Sequence, residues 1–280
     1  MTRFLAALVA RLDRLFPAPR VGGRESAEAY SEWEYGIGRE LLARYDELFG
    51  DIAGRRVLDI GCGFGGKTVV YAEAGASVTG VDIDPAHVAQ SRLYEREQGS
   101  GARFLAGDAE RLPFADGVFD LVVANDSMEH FPNPEAALSE LARVVRPGGG
   151  VFLFFTPWGS PLGSHLYDWI KTPWCQLLYP EPLLEELLRI DLERRGEPGA
   201  AAEAADMMRR YREENNRITV RRWRRIVRRT ESVTVVLEEL RPPKYRRLAP
   251  LTRIPFLGEL FTGTVVAVLR KKGDGPRRLS

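Results

Sequence analysis

Residues 57–66, Val-Leu-Asp-Ile-Gly-Cys-Gly-Phe-Gly-Gly, constrain this chain more than any other stretch. A short apolar run enters a turn with glycines at 61, 63, 65 and 66, and helix-forming residues follow. An unalternating apolar run of this kind suits a strand buried on both faces of a parallel sheet. Glycines at the exit let the backbone turn sharply and come close to a ligand. The following helix then aims its unpaired N–H groups at the same point. Cys62 lies inside this turn, and one carboxylate, Asp59, stands near the strand's end.

The pattern repeats downstream. Residues 77–84 read as a second strand ending in acids, and Asp82 lies 21 residues beyond Gly61. That is the distance at which a βαβ unit returns its next strand tip beside the first, where a carboxylate can accept both ribose hydroxyl protons. Asp84 followed by Pro85 reads as a helix start. A third strand at 103–106 ends in Gly107-Asp108-Ala109-Glu110, and a fourth at 119–124 runs into Asn125-Asp126-Ser127-Met128-Glu129-His130. A helix begins at Asn133-Pro134 and stops at Arg146-Pro147-Gly148-Gly149-Gly150, before a fifth strand at 151–155. Strands alternating with helices predict a doubly wound parallel α/β sheet with ligands beyond the strands' carboxyl ends.

Two ligand classes suit the first turn. A dinucleotide uses Gly-x-Gly-x-x-Gly with its pyrophosphate on the helix N-terminus. The spacing here is Asp-x-Gly-x-Gly-x-Gly, which resembles the first motif of the class I S-adenosylmethionine-dependent methyltransferases. About a hundred consecutive residues carry the resemblance through four landmarks: 59–65, Asp82, Asp108 and the Arg-Pro-Gly-Gly before the fifth strand. The resemblance implies a Rossmann-like, seven-stranded, mostly parallel sheet with helices on both faces. In it the sixth strand is at 233–237 and the seventh, at 263–269, runs antiparallel between the fifth and sixth. It also implies S-adenosyl-L-methionine as cofactor. Asp59, Gly61, Cys62, Gly63 and Gly65 would hold its methionine end, Asp82 its ribose and Ile83 the adenine face. Asp108 would meet the adenine amino group, with Ala109 next to it in the cofactor site and Asn125 at the fourth strand's tip.

Outside this core the chain departs from the minimal pattern. Residues 2–16 read as an amphipathic helix with Phe4, Leu5, Leu8, Val9, Leu12, Leu15 and Phe16 on one face and arginines elsewhere. Packing on its own domain is the favoured reading over contact with a membrane surface. A second helix is expected at 39–49. Tyr30, Trp33 and Tyr35 precede it and could wall a sulfonium by cation–π contact or pack as ordinary core. About 75 mostly helical residues separate the fifth and sixth strands, starting with an aromatic-rich stretch that holds Trp158, His165, Tyr167, Trp169 and Trp174. A helical cap there would place Trp158 and Tyr167, with Tyr30 and Trp33, against a flat or apolar acceptor. The expected organisation is an extension or lid at 1–50, a cofactor core at 51–157, a cap at 158–231, closing strands at 232–272 and a flexible tail at 273–280.

Composition bounds the function classes. Net charge is +1, which argues against a general polyanion binder, so the arginines of 217–229 read as a solvated helix face rather than a nucleic-acid surface. Two cysteines build neither a disulfide framework nor a zinc cluster, so no metal is expected and a reducing cytoplasm fits. The resulting expectation is a methyltransferase acting on a small aromatic or apolar acceptor at oxygen, nitrogen or carbon. The alternatives are a nucleic-acid methyltransferase using the arginine-rich segment and a nicotinamide-dependent oxidoreductase. An oxygen or nitrogen acceptor needs a base, and an imidazole titrates in the useful range. His130 and His165 are the candidates, with Glu129 and Asp126 behind them, while His87 reads as a surface residue.

Overall fold

The computed structural model describes residues 2–17, 26–243 and 246–273. Most of the expected tail, 274–280, lies outside the described residues, as does the side chain of Phe4. The elements in chain order are α1 (Thr2–Asp13), α2 (Ala27–Phe49), β1 (Arg56–Ile60), α3 (Gly66–Glu73), β2 (Ser77–Asp82), α4 (Pro85–Gln98), β3 (Arg103–Ala106), β4 (Phe119–Asn125), α5 (Pro134–Val144) and β5 (Val145–Phe155). Then follow α6 (Cys175–Leu178), α7 (Glu181–Arg195), α8 (Ala200–Glu213), α9 (Val220–Arg229), β6 (Val233–Arg241), a 3-10 helix (Arg246–Arg253), α10 (Pro255–Phe261) and β7 (Thr264–Lys271).

The seven strands form one sheet in the order β3-β2-β1-β4-β5-β7-β6, with β7 antiparallel. β1 sits between β2 and β4, parallel to both, with Asp59 level with Gly80 on one side and Val123 on the other. The strand order therefore reverses beside β1, and the crevice at such a switch point is where open α/β sheets bind ligands. β5 starts six residues earlier than expected. Val145 pairs with Phe119, and the ladder resumes at Gly150 opposite Leu121, so the Arg-Pro-Gly-Gly stretch is a bulge within a strand, not a gap before one.

The local signals act as chemistry requires. Asp84 Oδ1 accepts from the Ala86 N–H at 2.8 Å with Pro85 in the first turn, and Gly99 ends α4 at φ +68°. Asn133 Oδ1 caps α5 through the Ala136 N–H at 3.1 Å. α2 is twelve residues longer at its start than expected and takes in Tyr30, Trp33 and Tyr35. Ser26 caps it, accepting from Ala29 N–H at 3.1 Å. Its two internal glycines obscure the helix in sequence.

Two compact units emerge. One comprises Val21–Phe155, Arg224–Glu239 and Val266–Ser280 and holds the glycine turn. Its core joins Val57, Val78, Leu121, Val123 and Phe152 of the sheet to Tyr45 and Tyr71 of the flanking helices. The other comprises Met1–Arg20, Thr156–Trp223 and Leu240–Val265. Its core is helical, built on Leu184, Leu188, Ala204 and Met208 with Ala6 of α1. Residues 2–17 thus group with the helical insert, and residues 26–50 with the sheet. Along α9, Trp223 and Ile226 are buried while most arginines point outward, and Arg224 pairs with Glu238 at 2.6 Å. That is the solvated face expected of this segment.

α1 differs from expectation. Its buried face is Ala6 with Val9 and Ala10 packed alongside, whereas Leu5, Leu8, Leu12, Leu15 and Phe16 are exposed. The helix does pack on its own unit, but through its small residues rather than its leucines.

Candidate functional site

Left-handed backbone shapes the turn after β1: φ is +68° at Gly61, +55° at Gly63 and +88° at Gly65. The Gly61 and Cys62 N–H groups both donate to Val81 O, at 2.8 and 3.1 Å, which fastens the turn to β2. A Cβ on Gly61 would lie 2.3 Å from Ser127 Oγ, and one on Gly63 would lie 2.9 Å from Glu34 Oε1. The cradle is therefore closed to side chains from two directions. Cys62 is wholly buried in the sheet unit's core and burial pushes its thiol well up, so it packs rather than reacts.

Asp59 has no surface exposure. Its Oδ2 accepts from Thr68 Oγ1 at 2.6 Å, while Oδ1 is buried with no partner among the described residues. Burial pushes this carboxyl up to about 7, against the lowering effects of the Thr68 hydrogen bond and the Lys67 ammonium. An unsatisfied acceptor at this depth is uncommon in a folded core and calls for a physical reason.

Asp82, also buried, is bound to the turn itself. Gly63 N–H donates to its Oδ2 at 3.0 Å; Asp84 N–H meets its Oδ1 at 3.0 Å, with His87 Nδ1 at 3.2 Å. Burial acts to raise this carboxyl, but the His87 hydrogen bond and the two backbone donors outweigh it and hold it below the ordinary range. His87 in turn is raised, first by its hydrogen bond to Asp82. His87, read from sequence as a surface residue, keeps its side chain 40% exposed but is not remote from the strand tips: in the first turn of α4 it reaches back to Asp82, and it packs edge-on to Phe64 at 4.8 Å. The i, i+5 spacing from Asp82 was the available signal.

Beyond Asp82, Ile83 is 68% exposed, an apolar side chain left open at the strand tip. Asp108 is exposed, its Oδ1 accepting from Glu110 N–H at 2.8 Å, and Ala109 is buried behind it. Asn125 departs from expectation. Its side chain is buried in a core network, Oδ1 accepting from Tyr45 OH at 3.0 Å and Nδ2 reaching Tyr71 OH at 3.4 Å, rather than turned toward a ligand. His130 follows β4 on the exposed side, its N–H donating to Ser127 O at 2.9 Å.

Sequence reasoning missed the contribution of α2. Ser31 Oγ donates to Phe64 O at 3.1 Å. Glu34 and Lys67 form an ion pair at 3.2 Å with side chains only 3% and 8% exposed, and Gly66 N–H approaches Glu34 Oε2 at 3.4 Å. Burial works to lower the Lys67 ammonium, but Glu34, then Asp126 and Asp59, outweigh it and raise it. Small residues permit this approach: a Cβ on Gly66 would sit 2.0 Å from Ser31 O, and one on Gly38 would sit 2.9 Å from Lys67 Cα. Tyr30 and Trp33, 5.3 Å apart, are half-buried on the same helix, and Tyr30 meets Phe64 of the turn edge-on at 5.3 Å.

His165, Trp158 and Tyr167 lie in the helical unit. His165 takes φ +58° and lies 6.2 Å from the Tyr167 ring. Trp158 is stacked beside Tyr211 at 5.7 Å, with the Arg217 guanidinium 5.1 Å from its ring centre. Its face is engaged within its own unit.

Comparison with known proteins bears on the sheet unit. Residues 58–153 match the family model described as a methyltransferase domain. A ubiquinone biosynthesis O-methyltransferase of Pseudomonas aeruginosa is 41% identical over 109 residues, 39% of this chain and 47% of the relative. A sterol 24-C-methyltransferase of Gibberella zeae is 33% identical over 144 residues, 50% of this chain and 33% of the relative. The chain therefore spans about half or less of the length of these relatives. In fold, it resembles the crystal structure of an S-adenosylmethionine dependent methyltransferase from Mesorhizobium loti, with a TM-score of 0.51 and 17% identity, covering 88% of this chain and all of that one.

Proposed function

Because residues 58–153 form a class I S-adenosylmethionine-dependent methyltransferase domain, we propose that this chain transfers a methyl group to a small, aromatic or apolar acceptor. One observation carries the assignment of the site. The glycine turn of β1 and Asp82 of β2 are a single hydrogen-bonded unit through the Gly63 N–H, with the unpartnered Asp59 Oδ1 buried at its base.

The residues present suit this cofactor. When bound, S-adenosylmethionine supplies a methyl group on a sulfonium that is already activated for displacement. Asp59 Oδ1 offers an acceptor for the methionine ammonium. Asp82 Oδ2, which has one protein donor where Oδ1 has two partners, retains a lone pair for a ribose hydroxyl. Ile83 gives the adenine an apolar face, and Asp108 Oδ2 an acceptor for its amino group. The glycines exclude side chains from the ligand's path. Tyr30 and Trp33 offer π faces to a sulfonium.

With an activated leaving group, the chain's main task is proximity and alignment. His130 is the proposed base for a hydroxyl or amine acceptor. Its imidazole is exposed beyond β4, where it can take the acceptor's proton and release it to solvent. No role at the glycine turn is assigned to His165, Trp158 or Tyr167.

The test is transfer of isotopically labelled methyl from S-adenosylmethionine to a panel of phenols, quinols and apolar alcohols. Turnover of an acceptor that falls about 100-fold or more in His130→Gln, in line with loss of a general base, supports the proposal. Transfer unchanged in His130→Gln removes the histidine from it, and transfer to no acceptor beyond background removes the acceptor class.

A further inference from the structure

The exposed leucines of α1 and of the turn that follows it form one stripe. Leu5, Leu8, Leu12 and Leu15 are spaced three or four residues apart and are 48%, 48%, 51% and 78% exposed, with Phe16 beside them. The opposite side, Ala6 with Val9 and Ala10, holds the helix against its own unit. A stripe that keeps about half or more of each side chain in solvent contributes little to burial within the chain and marks a surface for contact.

The charges around it have one sign. The exposed ionised residues of α1 and the turn after it, among those whose side chains are described, are Arg11 and Arg14. The single acid, Asp13, is turned inward: its carboxylate accepts from Lys171 N–H at 3.1 Å, Thr172 N–H at 2.7 Å and Thr172 Oγ1 at 2.6 Å. Along the arginine edge runs a groove between α1 and α7 that Arg11, Arg14, Lys171 and Arg194 line. The one other acid in that groove, Asp191, is bound by Arg194 and, at 2.6 Å, by Arg195.

We propose that α1 is an interfacial helix that docks this unit on an anionic lipid surface, its leucines entering the acyl boundary and the basic groove receiving lipid phosphates. Leucines on one side with arginines at the edge match the helix type that lies in the plane of a bilayer interface. Basic side chains near an anionic leaflet add to that attraction, and salt screens it. A second copy of the chain suits the site less well, because a two-fold contact through the stripe would gather the arginine edges of both copies, of one sign, at a single interface.

The full chain is sedimented with vesicles of phosphatidylcholine alone and of phosphatidylcholine with phosphatidylglycerol, and its mass in solution is taken by light scattering. The expected result is binding to the anionic vesicles only, weakening as salt is added. Arg11→Gln with Arg14→Gln should reduce it roughly 25-fold, at about fivefold for each basic residue. Leu8→Glu with Leu12→Glu should abolish it. Both variants alter exposed side chains, so circular dichroism and the thermal midpoint should match the parent and separate lost docking from lost folding. Failure of the parent chain to bind anionic vesicles overturns the proposal. So does undiminished binding by folded variants, or a dimer that Leu8→Glu splits, which would assign the stripe to a second copy.

Discussion

Replacing Lys67 by Met should destabilise the sheet unit far more than loss of a surface charge would. The ammonium lies 3.2 Å from Glu34 Oε1 in a site where neither side chain is more than 8% exposed. At an effective dielectric of about 20, two unit charges at that distance attract by about 5 kcal/mol. Removing one partner of such a buried pair typically costs about 3–5 kcal/mol, because the other charge stays buried and uncompensated. Among the described residues, Glu34 would keep the long contact from the Gly66 N–H at 3.4 Å. For a chain of this size that loss lowers the thermal midpoint by roughly 6–20 °C. Replacing both partners, Glu34→Leu with Lys67→Met, should recover most of it, since an apolar pair of similar volume is often neutral. Thermal and urea unfolding of the parent, both single variants and the double variant give the coupling energy. A Lys67→Met variant within about 0.5 kcal/mol of the parent, or single effects that simply add, would show that the two buried charges are not coupled.

Further outcomes follow from the same geometry. Asp59 is raised in the fold from 3.8 to about 7, so the folded chain binds its proton more tightly and stability should fall as pH rises from about 4 to 7. Asp59→Asn should flatten that slope, measured by urea midpoints across the range. His87 should titrate above its ordinary 6.5, and Asp82→Asn should bring it back down, followed by imidazole NMR shifts. Gly66→Ala would drive a Cβ to 2.0 Å from Ser31 O and 2.6 Å from Tyr35 N, both backbone atoms, and should cost about 2 kcal/mol or more in urea unfolding. Gly36→Ala, in the same α2 with nothing within 4 Å, should instead stabilise by about 0.5–1 kcal/mol.

Much of the sheet was legible because parallel strands covered on both faces carry unbroken apolar runs, as at 121–124, and because a following helix can carry a local start signal such as Asp84-Pro85. The turn and Asp82 were legible for a related reason: a βαβ unit fixes the separation between successive strand tips. What remained hidden depends on partners distant in sequence. Glu34 meets Lys67 from another helix, and the only trace is the pair of glycines, Gly38 and Gly66, that let the helices touch. Gly36 and Gly38 also disguised the first half of α2, because packing overrides their poor helix propensity. Asn125 sits at the right strand tip, but Tyr45, about eighty residues earlier, claims its side chain. α1 shows the same limit from the other direction. Periodicity found its apolar face, and only the structure showed that Ala6, not the leucines, faces the core.

The glycine turn, Asp59 and Asp82 are proposed together as the S-adenosylmethionine site. Calorimetric titration of the purified chain with S-adenosylmethionine, its demethylated product and reduced nicotinamide dinucleotide tests it most directly, in the parent, Asp59→Asn and Asp82→Ala. The expected result is saturable binding of the sulfonium and its product at one site, weakened at least tenfold in each variant, as the loss of a charge-assisted hydrogen bond requires. Binding of the nicotinamide dinucleotide instead, or cofactor affinity untouched by either variant, would contradict it.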